Sequence, residues 1–170
     1  MPRPQKAPVP RRVVLRLSSG RPRARVSGQR RSLRRGIEFP YLKDASGRDA
    51  PLVYLQVWTG NRWLYLQAYV DSGASWTIFH ADVAELLHLK LSSKNRRYMA
   101  LGNGNVIPVL LHRIRVRFAG AEFMVPVGFS DTLRVGFNLM GRTGFFDRFA
   151  MCFNDRARLL TATRTGRAAR

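Results

Sequence analysis

From Pro51 onward the sequence is a series of short apolar segments separated by turn residues, and this pattern limits the fold most strongly. The segments with strand character are residues Leu52–Trp58, Trp63–Val70, 110–118, 122–129, 149–153 and 158–161. Between the first two, Thr59-Gly60-Asn61-Arg62 is a hairpin signal. Short β-rich runs at this spacing predict an all-β domain.

One predicted strand shows a regular alternation of apolar and charged residues. Within residues 110–118, apolar Ile114, Val116 and Phe118 alternate with Arg113, Arg115 and Arg117, which predicts a strand with one solvated face.

Two short helices are predicted, at residues 81–89 and 144–149. The first places Val83, Leu86 and Leu87 on one face and has acids near its start, where they suit the helix dipole.

The net charge of +20 is concentrated at the two ends of the chain. Residues 1–36 hold twelve basic residues and no acid, and residues 156–170 hold five arginines and no acid. Residues 37–155 hold thirteen basic and ten acidic residues, so the middle carries only +3. This distribution does not describe a uniformly basic nucleic-acid-binding domain. It predicts an arm (residues 1–36), a domain (37–161) and a basic tail (162–170).

The arm mixes Pro, Gly, Ser and Arg without an apolar period, which predicts disorder. Three interpretations of it stay open: a solvated tail or over-long start, an organelle transit peptide, and a segment that contacts nucleic acid. The apolar run 13–17 is interrupted by Arg16 and is too short for a signal peptide. No apolar run has the length of a membrane span, so a cytoplasmic protein is expected.

The chain offers little for metal or redox chemistry. Cys152 is its single cysteine, which excludes an intramolecular disulfide, and the apolar setting Met151-Cys152-Phe153 predicts a buried side chain. His80, His88 and His112 lack the spacing of metal ligands and are expected in surface or cap roles. No metal and no cofactor are expected.

The informative passage is Ala68-Tyr69-Val70-Asp71-Ser72-Gly73-Ala74-Ser75-Trp76. A strand-like run delivers the carboxylate of Asp71 at the point where the strand stops. Gly73 lets the backbone turn so that its N–H approaches that carboxylate, and Ser72 offers a hydroxyl that can hold the loop. Because Ser72, Gly73 and Ala74 are small, a second chain can approach this turn closely.

Two later segments accompany this turn. Leu101-Gly102-Asn103-Gly104-Asn105-Val106 is a glycine-rich tip between two strand-like runs. Phe137-Asn138-Leu139-Met140-Gly141-Arg142-Thr143-Gly144-Phe145-Phe146-Asp147-Arg148-Phe149 places paired apolar residues before a glycine and a short helix. In this order the three segments resemble the retropepsin-like aspartic proteases, and 140–149 is very similar to a bacterial-type phrase of that family. The resemblance covers roughly residues 50–161.

The resemblance implies a closed β-barrel with one or two short helices that acts as a symmetric dimer. It implies that Asp71 is the catalytic acid, with Ser72, Gly73 and Ala74 completing its loop. Gly102, Asn103 and Gly104 would form the flap, and Leu139, Met140 and Gly141 would be packed behind the site. Viral relatives commonly have an Asp where this chain has Ser75, so the resemblance implies that Arg142 has lost an acidic partner.

Aspartic proteases need two carboxylates, one protonated and one ionised. This chain has one Asp-Ser-Gly, and Asp147, without a glycine loop, is expected to be a helix-surface acid. The hypothesis is therefore an aspartic endopeptidase in which Asp71 of each subunit of a homodimer acts on a protein or peptide substrate. The alternative is a weakly active or inactive member of this fold that serves as a binding module, with its basic arm contacting nucleic acid or an acidic partner.

Overall fold

The computed structural model describes residues 36–102 and 104–166. Three predicted parts lie outside the described residues. They are the arm except for Gly36, the predicted flap residue Asn103, and the end of the tail beyond Gly166. Within the described ranges, no helix has both the length and the apolar character needed to cross a membrane.

The described chain is built mainly of short strands. In chain order they are β1 (Ile37–Pro40), β2 (Leu42–Lys43), β3 (Asp49–Ala50), β4 (Leu52–Trp58), β5 (Trp63–Val70), β6 (Thr77–His80), β7 (Arg96–Ala100), β8 (Val106–Phe118), β9 (Ala121–Ser130), β10 (Asn138–Met140), β11 (Phe149–Asn154) and β12 (Leu159–Arg164). Helix α1 (Ala81–Leu86) follows β6, a 3₁₀ turn spans Ser93–Asn95, and an irregular helical turn spans Arg142–Phe146.

Six of these strands close into a barrel in the order β4, β5, β10, β6, β9, β8. The closing contact joins β8 to β4, where Arg117 pairs with Gln56 and Val116 with Val57. Strand β7 extends this sheet by pairing with β8. The all-β closed barrel with short helices that the sequence predicts is therefore confirmed.

The barrel encloses an apolar core built from alternate residues of its strands. On β4 the residues Val53, Leu55 and Val57 point inward and are almost fully buried. Phe145 and Phe149, which follow the barrel's last strand, complete this core and make edge-to-face contacts with Phe118. Each fully buried side chain of this size contributes about 1.5–3 kcal/mol to folding.

A separate sheet of β1, β12 and β11 packs beside the barrel. Its last strand runs to Arg164, beyond the domain boundary predicted at residue 161. The prediction that Cys152 is buried is wrong, because its side chain is exposed. Phe149 at the start of β11 reaches the core, whereas the end of the strand, where Phe153 is 37% exposed, extends past it.

The first predicted helix is shorter than expected. Helix α1 ends at Leu86, and His88 has a positive φ of 53°, which stops the helical path. Val83 and Leu87 are buried as predicted, but Leu86 is 49% exposed and Ala84 takes the inward position instead. The buried face of this turn therefore runs through Val83, Ala84 and Leu87 rather than through Leu86.

The second predicted helix, at residues 144–149, is also corrected. Helical structure covers Arg142–Phe146 and is irregular, with non-helical angles at Thr143 and Gly144. Phe149 belongs to β11. The glycine at 144 has φ of 93°, and a Cβ there would collide with Val125, so close packing against β9 sets this geometry rather than helix propensity.

Candidate active site

Asp71 directly follows β5, at a point where the order of the strands departs from their order in the chain. The chain leaves β5, turns through residues 71–76 and returns as β6, but β5 and β6 are not paired with each other. Strand β10 lies between them, parallel to β5 and antiparallel to β6, with Leu139 opposite both Tyr69 and Ile78. The loop that carries Asp71 therefore emerges directly above β10.

Backbone N–H groups orient the Asp71 carboxylate. Its Oδ1 accepts hydrogen bonds from the N–H groups of Gly73 at 2.8 Å and Ala74 at 3.2 Å. The Asp71 N–H donates to the Met140 carbonyl at 3.0 Å. No donor among the described residues contacts Oδ2, so one oxygen is held by the loop and the other is available for chemistry. The expected role of Gly73 in turning its N–H toward this acid matches the geometry.

The segment after β10 holds the loop from behind. The N–H of Arg142 donates to the Ala74 carbonyl at 2.9 Å, and the N–H of Thr143 donates to the Ser75 carbonyl at 3.0 Å. The side chain of Arg142 also donates to Ser75 Oγ at 2.8 Å. Arg142 therefore has no acidic partner at position 75, as expected, and the serine hydroxyl accepts its hydrogen bond instead.

The backbone at Gly141 lies very close to the backbone of the loop at Trp76. A Cβ added at Gly141 would overlap the carbonyl of Trp76 and lie 3.0 Å from that of Ala74. The Gly141 N–H donates to Oγ1 of the buried Thr77 at 3.2 Å. Thr77 is a site residue that sequence reasoning missed, since a threonine beginning an unpredicted strand carries no distinctive signal. Of the predicted rear segment, Leu139 and Met140 lie in β10 and Gly141 packs against the loop.

A cavity of about 500 Å³ opens above Asp71. Its lining residues come from the Asp71 loop, β6, β10 and the β7–β8 hairpin: Asp71, Gly73, Ala74, Ser75, Trp76, Ile78, Tyr98, Met99, Ala100, Leu101, Gly102 and Leu139. Asp71 is the one acidic residue in this lining. The other side chains are apolar, aromatic or small, so the cavity suits an extended chain with apolar side chains.

Residues of the β7–β8 hairpin, the predicted flap, line one part of this cavity. Its turn is closed by the Leu101 N–H donating to the Asn105 carbonyl at 2.7 Å and by the Gly104 N–H donating to the Leu101 carbonyl at 2.9 Å. Gly104 has φ of 83°, a conformation that favours glycine. Gly102 lines the cavity, Gly104 does not, and Asn103 lies outside the described residues.

The remaining candidates lie away from this cavity. Ser72 is exposed, and its hydroxyl makes no hydrogen bond with any described residue. Asp147 is an exposed acid whose Oδ2 accepts from the N–H of Gly144 at 3.2 Å. In the described ranges no group of three or more His, Cys, Asp or Glu side chains is arranged to hold a metal ion.

The closed six-strand barrel has the retropepsin-like fold. The chain superposes on the crystal structure of a retropepsin-like aspartic protease from Rickettsia conorii with a TM-score of 0.52 and 21% identity, covering 74% of this chain and 98% of that one. It also matches EIAV protease complexed with the inhibitor HBY-793, with a TM-score of 0.45 and 12% identity over 56% and 84% of the two chains. No protein-family model and no curated protein matches the sequence. The Rickettsia likeness shows the fold that the sequence resemblance predicted.

Proposed function

We propose that this protein is an aspartic endopeptidase that hydrolyses peptide bonds with two Asp71 carboxylates, one from each subunit of a homodimer. The observation that carries the proposal is the setting of Asp71. Its Oδ1 is held by Gly73 and Ala74, its Oδ2 is available, and residues of the β7–β8 hairpin line the cavity beside it.

The need for a second chain follows from the chemistry. Peptide hydrolysis by carboxylates requires one ionised group as base and one protonated group as acid. The cavity lining contains a single acid, so the described chain supplies half of such a pair. A two-fold axis beside the loop would bring the same side chain from a second copy into the site. Ser72 and Gly73 are exposed and small, which leaves room for that approach.

In the proposed reaction a water molecule lies between the two carboxyl groups. The ionised carboxylate takes a proton from the water as its oxygen attacks the peptide carbonyl carbon, and the protonated carboxyl gives its proton to the carbonyl oxygen. The resulting tetrahedral diol collapses when the C–N bond breaks: the carboxyl that took the water's proton gives it to the leaving nitrogen, and the other carboxylate takes a proton from a diol hydroxyl. Two like charges so close together favour a shared proton, which keeps one group neutral. The reaction consumes only water.

The substrate is proposed to be a protein or peptide in extended form. Trp76, Met99 and Leu139 line the cavity next to Asp71, so apolar side chains on both sides of the cleaved bond would bury surface there. The hairpin above must move to admit such a chain, and its glycine-containing tip suits that movement.

The direct test compares Asp71→Asn with Asp131→Asn, which removes an exposed acid outside the cavity. Both variants are expected to fold and to have the oligomeric state of the wild type, measured by sedimentation. Cleavage of an unfolded protein substrate should be lost in Asp71→Asn and kept in Asp131→Asn. Cleavage retained by Asp71→Asn would refute the proposal. A folded wild-type dimer without activity would instead favour a binding module.

A mixing experiment tests the shared site. Wild-type protein is unfolded and refolded with increasing amounts of Asp71→Asn at constant total concentration. If each active site needs Asp71 from both chains, activity should fall as the square of the wild-type fraction, because mixed dimers are inactive. A decline in simple proportion to that fraction would show that one chain suffices.

A further inference from the structure

The outer wall of the barrel carries a set of aromatic and arginine side chains that the proposed reaction does not use. These residues, termed the aromatic–arginine face, are Tyr54, Trp58, Trp63, Tyr65, Arg113, Arg115 and Arg117. They come from β4, β5 and β8, on the side opposite to the buried residues of the same strands. None of them lines the cavity above Asp71.

Two of the four aromatic side chains of this face, Tyr54 and Tyr65, are exposed, and the two tryptophans are half-buried. Tyr65 is 73% exposed and Tyr54 is 53% exposed. Trp58 and Trp63 lie opposite each other across the β4–β5 pair with ring centroids 5.2 Å apart. Single exposed apolar residues are common, but a contiguous exposed aromatic surface marks an interaction site. A shallow concavity of about 400 Å³ lies between Tyr54, Tyr65 and the β8–β9 turn.

The arginines join the aromatic groups into one surface. Arg117 pairs with Gln56, which pairs in turn with Tyr65, so the three form one cross-strand row. The guanidinium carbon of Arg117 lies 4.0 Å from the centroid of the Trp63 ring. Arg113 and Arg115 lie on the same face of β8 as Arg117, and neighbouring arginines are about 7 Å apart, which is twice the rise per strand residue. These three residues along β8 are termed the arginine row.

The charges of this face are only partly neutralised. Glu122 is the acid next to it, and its carboxylate meets Arg117 at 2.9 Å and Arg115 at 3.7 Å. Arg113 has no ion-pair partner among the described residues. One carboxylate against three guanidinium groups leaves a positive surface that is complementary to a chain of phosphates.

We propose that the aromatic–arginine face binds single-stranded nucleic acid. Exposed tyrosines would stack on unpaired bases, while the arginine row would contact the phosphates. A duplex keeps its bases stacked on one another, so it could use only the arginines. An acidic polypeptide could likewise use the arginines but would gain nothing from ring stacking. The combination of flat aromatic groups with a line of cations therefore favours the single strand.

Binding is measured with the full-length chain and a short fluorescein-labelled oligothymidylate. Because the basic arm also attracts phosphates, the test rests on substitutions within the aromatic–arginine face. Tyr54→Ala and Tyr65→Ala should each weaken binding about fivefold or more. Tyr98→Ala is the matched control, since Tyr98 is 70% exposed but lies at the cavity. Binding to the duplex of the same sequence should be unaffected by either tyrosine substitution.

The arginine row is tested by salt dependence. Each of Arg113→Gln and Arg115→Gln should reduce the slope of log affinity against log salt by about 0.7. Arg97→Gln, an exposed strand arginine of the hairpin, is the control and should leave the slope unchanged. Circular dichroism confirms that each variant is folded.

Three results would overturn the proposal. The wild type could fail to bind oligothymidylate. It could bind, but with no loss in Tyr54→Ala and Tyr65→Ala, which would show that these tyrosines do not stack on bases. It could bind a polyglutamate peptide through Arg113 and Arg115 while the tyrosine substitutions have no effect, which would identify an acidic protein as the partner.

Discussion

Arg142 Nη2 donates a 2.8 Å hydrogen bond to Ser75 Oγ, joining residues that are 67 positions apart in the sequence. The backbone N–H groups of Arg142 and Thr143 add bonds to the carbonyls of Ala74 and Ser75. The loop that carries Asp71 is therefore held from behind by three hydrogen bonds from one short segment.

Replacing Ser75 tests the value of this bond. Ser75→Ala should lower the free energy of unfolding by about 0.5–1 kcal/mol, because the pair is exposed and water competes for the guanidinium. Ser75→Asp should unfold no more easily than the wild type, since an ion pair takes the place of the bond. Urea denaturation measures both. Ser93→Ala, at an exposed serine away from the loop, is the control, and an equal loss there would remove any special role for Ser75.

Gly141 should not tolerate a side chain. A Cβ in Gly141→Ala would overlap the Trp76 carbonyl, and backbone cannot move aside as a flexible side chain can. We expect a loss of about 3 kcal/mol in unfolding free energy and loss of peptide cleavage, because the Asp71 loop must shift. Gly136→Ala is the control, since a Cβ there meets nothing within 4 Å. A wild-type thermal midpoint and activity in Gly141→Ala would contradict this account.

Tyr98 is expected to contribute to substrate binding, given the proposed function. It lines the cavity on β7 and is 70% exposed, so a bound peptide would cover it. Tyr98→Ala should raise KM about tenfold with a smaller change in kcat, the pattern of lost contact in ground state and transition state alike. Tyr54→Ala, which removes another exposed tyrosine, should leave both constants unchanged. The reverse pattern would exclude the hairpin from the binding site.

Tyr41 should make stability depend on alkaline pH. Burial and the hydrogen bond from its hydroxyl to Asp155, 2.9 Å long, raise the pKa of Tyr41 from 10.0 to about 12. Because the folded state favours the neutral phenol, this contribution is complete below pH 10 and is lost as pH rises through 12. Urea midpoints should fall less over this window in Tyr41→Phe than in the wild type. Identical pH profiles would show that Tyr41 does not titrate as described.

The sequence predicts the long strands of the barrel well because their side chains alternate. Strands β4, β5, β8 and β9 all lie where apolar residues recur at every second position. It does not predict β6 or β10, which are short and buried on both sides and so carry no alternation. It also predicts a buried Cys152 from apolar neighbours, whereas exposure depends on whether another element covers that end of β11.

What the sequence determines by itself is local: a strand that ends in Asp71, small residues after it, and glycines at the positions where the backbone must turn or be approached closely. These properties depend on neighbours within a few residues, so the pattern reveals them. Only the tertiary structure decides that β10 enters between β5 and β6, that Arg142 reaches Ser75, and that the β7–β8 hairpin lines the same cavity as Asp71. Those contacts join segments tens of residues apart, and their partners are selected by packing in the closed barrel.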